Sequence, residues 1–310
     1  LRASEVIGLL EATAAEDPEA DDARARFEQQ LVDIGRSAAM SADQARAAGL
    51  DPLTFRSIAL DSGAGANLLS VAPVPGHFSY SSLSKYEACP LRYALAYVYR
   101  IPEPARPVAA FGFGSTAHAT FEAFTRERRE RAARGEPMPT RADLATLFAA
   151  NWHPEAFPDA AAEAGYKRRI DTMLDNFWSG ELEGVGEALH EELDFELVLV
   201  PDDGSAPVRI HGGIDRIDRT PDGGIEVIDY KTGRMSSQKD VSENLQLTIY
   251  ALACRDALEL GTPERVTLYF TETAQRMSTV RSDAQLDAAR VEILERAARI
   301  RSGDFAATPG

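Results

Sequence analysis

The stretch from residue 208 to residue 231 restricts the fold more than any other part of the chain. Two runs, Val208 to Ile217 and Gly224 to Lys231, flank the segment Thr220-Pro-Asp-Gly-Gly. Runs rich in branched apolar residues on either side of an Asp-Gly turn pair as antiparallel strands. Side chains alternate between the two faces of a strand. His211, Gly213, Asp215 and Ile217 therefore share one face of the first strand, and Ile225, Val227, Asp229 and Lys231 share one face of the second. With so short a connection, Asp215 and Asp229 can point the same way from adjacent strands, with Lys231 one step beyond.

Two carboxylates held together repel, and one of them is driven towards its protonated form unless a cation sits between them. Oxygen donors of this kind suit Mg²⁺ or Mn²⁺. A lysine beside such an ion can orient an attacking water and offset the charge that builds on a phosphate, as metal-assisted phosphodiester hydrolysis requires. A plain polar turn after a surface strand would also read Asp-Tyr-Lys-Thr-Gly. The second acid, inside Gly-Gly-Ile-Asp-Arg-Ile-Asp on the preceding strand, is what favours the chemical reading.

The rest of the chain supplies a mixed α/β frame. Residues 1–75 are Ala-rich and acidic with helix-type spacing, and Pro73, Pro75 and Gly76 read as a linker. We therefore divide the chain into an N-terminal helical segment, 1–75, and a main domain, 76–310. In the main domain a helix capped by Ser81 or Ser82 runs towards Tyr99; after a loop from Pro102 to Pro107, Phe111-Gly-Phe-Gly-Ser opens another that covers about Thr116 to Arg134. Further helices cover about 141–151 and 163–178. Strands follow at 194–200, 208–217 and 224–231, then a helix at 244–258, a strand at 265–271 and a helix at 283–301. An antiparallel meander followed by helix, strand and helix predicts a mixed sheet flanked by helices.

Five segments, in this order, resemble the motifs of RecB-like nucleases of the PD-(D/E)XK superfamily, the kind found fused to helicases. They are Ser81-Ser-Leu-Ser-Lys-Tyr-Glu-Ala-Cys89-Pro90, Gly114-Ser-Thr-Ala-His118, Gly213-Ile-Asp215-Arg-Ile-Asp, Val227-Ile-Asp229-Tyr-Lys231-Thr-Gly and Gln246-Leu-Thr-Ile-Tyr250. The resemblance spans about residues 78–305. It implies a restriction-endonuclease-like fold and metal ligation by His118, Asp215, Asp229 and the backbone carbonyl of Tyr230. It also implies Lys231 as the catalytic lysine. Gln246 and Tyr250, one helical turn apart and so on one face, would position the lysine, the water or the DNA strand. The implied substrate is DNA, in single-stranded form, delivered by a helicase module in the same polypeptide or a partner subunit. Residues 1–75 would connect to that module or be its remnant.

Composition restrains this reading without opposing it. A formal net charge of −16 argues against a general nucleic-acid coat, because non-specific affinity comes from neutralising phosphates. It leaves room for a local site. No membrane-length apolar stretch or signal peptide occurs, and two cysteines make no disulfide framework, so a cytoplasmic location is expected. The first residue is Leu, which suggests a processed or excised chain. Relatives hold an iron–sulfur cluster with a cysteine at the position of Cys89. Cys254 reads as core, so a 4Fe-4S cluster would need further cysteines beyond Gly310. No Gly-x-x-x-x-Gly-Lys-Ser/Thr loop occurs, and Gly112-Phe-Gly114-Ser-Thr-Ala117 lacks the strand a dinucleotide fingerprint needs.

Among single residues, Asp218 reads as a turn residue, Glu192 and Glu196 as structural acids in preference to remote acidic ligands, and Glu122 as either solvated or supporting His118. Arg126, Arg128, Arg129, Arg131 and Arg134 form either a solvated helix face or a phosphate contact. Two other functions fit parts of this pattern. One is a catalytically inactive DNA-binding or scaffolding module on the nuclease fold. The other is a hydrolase of small phosphate esters.

Overall fold

The structure is a computed structural model and describes residues 76–98, 108–182, 186–233, 235–306 and 308. The expected N-terminal helical segment, 1–75, lies outside the described residues. Compact packing divides the chain into two units, one from residues within 81–104 and 295–310, the other from 77–80 and 105–294. In chain order the helices are α1 (Tyr80–Ala88), α2 (Pro90–Tyr93), α3 (Val108–Arg134), α4 (Arg141–Ala150) and α5 (Ala160–Leu182), then α6 (Gln238–Ser242), α7 (Leu245–Asp256) and α8 (Asp283–Arg301). The strands are β1 (Glu187–Leu199), β2 (Val208–Arg219), β3 (Ile225–Lys231), β4 (Arg265–Phe270) and β5 (Gln275–Thr279).

The five strands form one sheet in the order β1-β2-β3-β4-β5. The first three pair antiparallel, β4 joins β3 in parallel, and β5 returns antiparallel to β4. This is the expected mixed sheet flanked by helices. The predicted hairpin closes with Thr220 donating its N–H to Gly224 O at 3.0 Å, and Gly223 sits at φ 90, where only glycine is comfortable.

Both faces of the sheet are covered. Phe113, Phe121 and Phe124 from α3, Leu144 and Phe148 from α4, and Met173, Leu174 and Phe177 from α5 enclose Ile228, Tyr230 and Tyr269. Tyr250 of α7 meets the ring of Phe195 at 6.1 Å. The smaller unit has its own aromatic centre. Tyr86 and Tyr93 meet edge to face at 5.5 Å, and Tyr86 donates to Asp304 O at 2.8 Å. No helix among the described residues is long and apolar enough to cross a membrane.

Several expected boundaries move. The first helix begins at Tyr80, ahead of both candidate caps, and is interrupted at Cys89, after which helical structure resumes over Pro90–Tyr93 and continues as a π-helical turn over Ala94–Val98. Proline cannot donate to the preceding turn and restricts the residue before it. Helix α3 starts at Val108 and runs through the glycines of Phe111-Gly-Phe-Gly. There a Cβ on Gly112 would meet Ala156 Cβ at 2.4 Å, so this glycine permits close packing rather than ending a helix. Strand β1 begins at Glu187, earlier than expected. Asp218 is no turn residue: it lies within β2 and is almost wholly buried, bound by the guanidinium of Arg216 through two contacts of 2.5 and 2.9 Å.

Candidate active site

The site lies where the sheet opens. Strand β2 pairs with β3 only as far as Arg216↔Ile228. At its other end the same edge of β2 is covered by Phe78, whose N–H donates to Arg209 O at 2.8 Å and whose carbonyl accepts from His211 N at 2.9 Å. Residues 212–215 lie between these two coverings. The N–H of Tyr230, which has lost its strand partner there, donates instead to Asp215 Oδ2 at 2.7 Å. The N–H and C=O of one residue leave a strand on the same side, so the Tyr230 carbonyl faces the gap as well.

Three side chains converge on this point. His118 Nδ1 lies 3.3 Å from Asp215 Oδ2 and 4.0 Å from Glu192 Oε1. One donor atom from each of His118, Glu192 and Asp215 lies within 4.8 Å of the others. Helix α3 delivers His118, whose ring stands edge-on to Tyr230 at 6.0 Å. Glu192 arrives because β1 starts early. Its neighbours pair as Glu191↔Arg216 and Leu193↔Ile214, which sets Glu192 across from Asp215. It holds a left-handed backbone, φ 45, an unusual conformation for a non-glycine residue and one that clusters at functional sites.

A second group lies alongside. Lys231 Nζ is 2.6 Å from Asp229 Oδ2 and donates to Gln246 Oε1 at 3.1 Å. Gln246 Nε2 donates to the Tyr250 hydroxyl at 2.8 Å, and that hydroxyl donates to Asp229 Oδ1 at 3.4 Å. The circuit Lys231–Gln246–Tyr250–Asp229 is closed, and it fixes the lysine without blocking its outer side, which is one-third exposed. Asp229 is fully buried. Its Oδ2 has the close charge contact with Lys231 but no well-directed hydrogen bond among the described residues.

The charges at this site are costly as they stand. Burial, then the neighbouring Asp215, pushes Glu192 up to about 7. Burial also raises Asp229, outweighing the opposing pull of Lys231, and Asp215 adds to the rise. Burial alone would lower the pKa of His118, but the hydrogen bond and charge of Asp215, with Asp229 and Glu192, raise it instead. Excess negative charge drawing protons onto its neighbours is what a divalent cation relieves. The donor set fits one: carboxylates suit Mg²⁺ or Mn²⁺, and an imidazole nitrogen is compatible with Mn²⁺.

All the residues expected at the site are therefore brought together, in two subgroups. His118 and Asp215 join Glu192, whereas Asp229 faces Lys231, Gln246 and Tyr250. From the sequence Glu192 reads as a structural acid in preference to a remote ligand; the full length of β1 is what sets it across from Asp215. Glu192→Gln is expected to weaken Mn²⁺ binding by about tenfold, the loss of one charged donor or of its orienting influence. Isothermal titration checks this, and an unchanged affinity would leave Glu192 a bystander.

An acidic cluster able to hold a metal lies beside a buried Asp–Lys pair at the opening of a mixed sheet, an arrangement consistent with a metal-dependent nuclease site. The sequence agrees: a family profile described as the PD-(D/E)XK nuclease superfamily matches residues 77–310, and the chain belongs to that superfamily. A search of curated proteins gives no match. Among solved structures, one titled "Crystal structure of SSO0001" is 16% identical over 61% of this chain and 84% of its own, with a TM-score of 0.27. That level of likeness carries no argument.

Proposed function

We propose that the chain is a divalent-metal-dependent DNA nuclease that hydrolyses phosphodiester bonds, acting as the nuclease part of a helicase–nuclease in break repair and recombination. The observation that carries this is the pairing of the donors His118, Glu192 and Asp215 with the Lys231–Asp229–Gln246–Tyr250 circuit in one gap of the sheet. His118, Asp215, Asp229 and the Tyr230 carbonyl, joined by Glu192, would hold Mg²⁺ or Mn²⁺. Such an ion supplies Lewis-acid polarisation and charge neutralisation at the phosphate. Lys231, held by Asp229 and Gln246, orients the attacking water and offsets negative charge developing on the phosphate oxygens. Tyr250 keeps Gln246 turned towards the lysine.

Single-stranded DNA is the substrate this site favours. A cavity of about 690 Å³ beside the cluster is lined by His118, Glu192, Asp194 and Phe111. Phe111 is 77% exposed and offers an unstacked base a face to stack on. A helicase module would supply such strands, with residues 1–75 as its connector or remnant, in a cytoplasmic setting that keeps Cys89 and Cys254 reduced. Two cysteines cannot make a four-cysteine cluster, and Cys254 is buried in α7; a 4Fe-4S cluster would draw its remaining ligands from a longer chain.

The test is cleavage of end-labelled single- and double-stranded DNA with Mg²⁺ or Mn²⁺, comparing wild type with Asp229→Ala. Metal-dependent cleavage lost in the variant supports the proposal. Metal binding without cleavage would favour the scaffolding reading, and cleavage of small phosphate esters uninhibited by DNA would favour the third.

The arginine run on α3 bears on affinity. Arg126 pairs with Glu122 at 2.6 Å, Arg129 with Glu191 at 3.0 Å, Arg131 with Glu127 at 2.7 Å and Arg134 with Glu136 at 2.9 Å, and Arg128 pairs with Glu181. A phosphate would have to displace a carboxylate at each. This chain alone is therefore expected to bind single-stranded DNA weakly at physiological salt, in the range of about 10⁻⁶ to 10⁻⁴ M typical of non-specific contacts. A fluorescence-anisotropy titration reads this directly; sub-micromolar affinity would show that no tethered module is needed to raise local concentration.

A further inference from the structure

We propose that Arg281 is a positioning residue for Lys231: its buried guanidinium pins the first turn of α7 to β5, and that turn carries the glutamine that holds the lysine. The proposal rests on the role given to Lys231 above. Arg281 follows β5 and is 5% exposed. An arginine carries five N–H donors, and acceptors stand around all of them. Its Nε donates to Thr248 Oγ1 at 2.9 Å. One terminal nitrogen donates to Thr279 Oγ1 at 2.9 Å and to Val280 O at 3.2 Å. The other donates to Val241 O at 3.3 Å and to Asn244 O at 3.4 Å. Val241, Asn244 and Thr248 lie at the corner between α6 and α7, and the last two bracket Gln246. Thr279 and Val280 are the end of β5 and the residue after it.

Stability alone gives no reason for an arginine here. No carboxylate pairs with Arg281 among the described residues, and burial pulls its guanidinium below the usual range with nothing opposing. An uncompensated buried charge is costly. A cation beside the start of a helix also meets the positive end of its dipole. Apolar packing at this corner would avoid both costs. What the guanidinium supplies is a planar fork of fixed geometry, which ties three groups of the corner to two at the sheet. The corner is braced from within as well: Asn244 Oδ1 accepts from Leu247 N at 3.0 Å, and Thr248 Oγ1 donates to Asn244 O at 3.0 Å. Lys231 ends β3, in the same sheet as β5. Its 3.1 Å bond to Gln246 Oε1 therefore joins the sheet to the corner, and Arg281 fixes the separation that this bond needs.

Arg281→Met is expected to lower single-turnover DNA cleavage by about 10- to 100-fold, the upper figure being that for a misplacement of about 1 Å, with Mn²⁺ affinity near wild type. In a Gln246→Ala background the same substitution is expected to change cleavage by less than about twofold, because the group it positions is gone. Its effect on Tm should be the same in both backgrounds, as a purely structural role would also give. Thr248→Val removes one acceptor and little volume, so it stays folded even where Arg281→Met does not. It should give a smaller loss that likewise vanishes without Gln246. A readout without turnover is hydrogen exchange at the side-chain amide of Gln246, which donates to the Tyr250 hydroxyl at 2.8 Å. That exchange should quicken in Thr248→Val, while the side-chain amide of Asn176, bonded to Thr271 O and Glu272 O, is unchanged. Equal losses of cleavage with and without Gln246, or an unchanged Gln246 amide, would overturn the proposal. A parent that cleaves no DNA would remove the nuclease reading instead, and the amide would still decide whether Arg281 positions Gln246.

Discussion

Replacing Lys231 with alanine is expected to lower DNA cleavage by at least about 10²–10³-fold, the cost of removing one group aimed at developing charge, while Mn²⁺ affinity stays close to wild type. The two effects separate because a protonated lysine is a donor of hydrogen bonds and no ligand for a cation. In the absence of metal, Lys231 is the main charge opposing that of buried Asp229, whose carboxyl is already raised by burial. Removing it should make the metal-free protein less stable, while the stabilisation given by added Mn²⁺ stays close to wild type because the affinity does. Lys231→Arg keeps the charge but replaces a compact ammonium with a planar fork, so it should rescue stability more fully than cleavage. Single-turnover cleavage with thermal melts at several Mn²⁺ concentrations would check all three effects. Wild-type cleavage by Lys231→Ala would remove the lysine from the chemistry, and parallel loss of metal binding would recast it as part of the scaffold.

The largest loss of stability is expected on the opposite face of β2. Arg216 is buried with Glu181 and Asp218, contacting Glu181 Oε1 at 2.5 Å and Asp218 at 2.5 and 2.9 Å; all three side chains are at most 4% exposed. Arg216→Met removes the cation, strands Asp218 in the interior and leaves Glu181 only its pair with Arg128, which costs about 3–5 kcal/mol for a broken buried pair. For a domain of this size that corresponds to a fall in Tm of roughly 10 °C. Burial already raises the pKa of Asp218 in wild type, despite Arg216. An acid whose folded pKa is raised takes up protons on folding, so its penalty grows as pH rises through that range and vanishes below the unfolded value. The deficit of Arg216→Met should therefore narrow between pH 7 and pH 5. Denaturant melts at the two pH values measure it, and a deficit below 1 kcal/mol, or one independent of pH, would show that water reaches the network. The same guanidinium approaches the Tyr230 hydroxyl at 3.4 Å, so the network also supports the residue whose backbone lines the site.

The parts of this arrangement that follow a simple period were legible in the sequence. Asp215, Asp229 and Lys231 follow from alternation along two strands joined by an Asp-Gly turn, and Gln246 and Tyr250 from the turn of one helix. Glu192 was not, because its role depends on where β1 begins, and Glu-Ala-Leu-His-Glu-Glu-Leu does not alternate cleanly enough to mark a strand. Asp218 was misplaced because a charged residue near a turn usually faces water, and only the tertiary structure reveals that Arg216 and Glu181 wait for it in the core. Strand β5, Gln275–Thr279, is polar and lies at the sheet edge, so it owes its conformation to β4. The start of α3 was hidden for a related reason. Glycines weaken a helix unless a neighbour needs their space, and the neighbour at Gly112 is Ala156, more than forty residues away in the chain.

The gap in β2 also sets where this protein can be watched. Amide protons protected by strand pairing exchange with solvent only when the sheet opens, whereas the amide of Tyr230 is held by the Asp215 carboxylate instead of a strand partner. Its protection therefore depends on one side chain inside an otherwise strand-paired sheet. A cation that draws the Asp215 carboxylate towards itself loosens this amide. The exchange rate at Tyr230 would thus report ion occupancy without a label and without turnover.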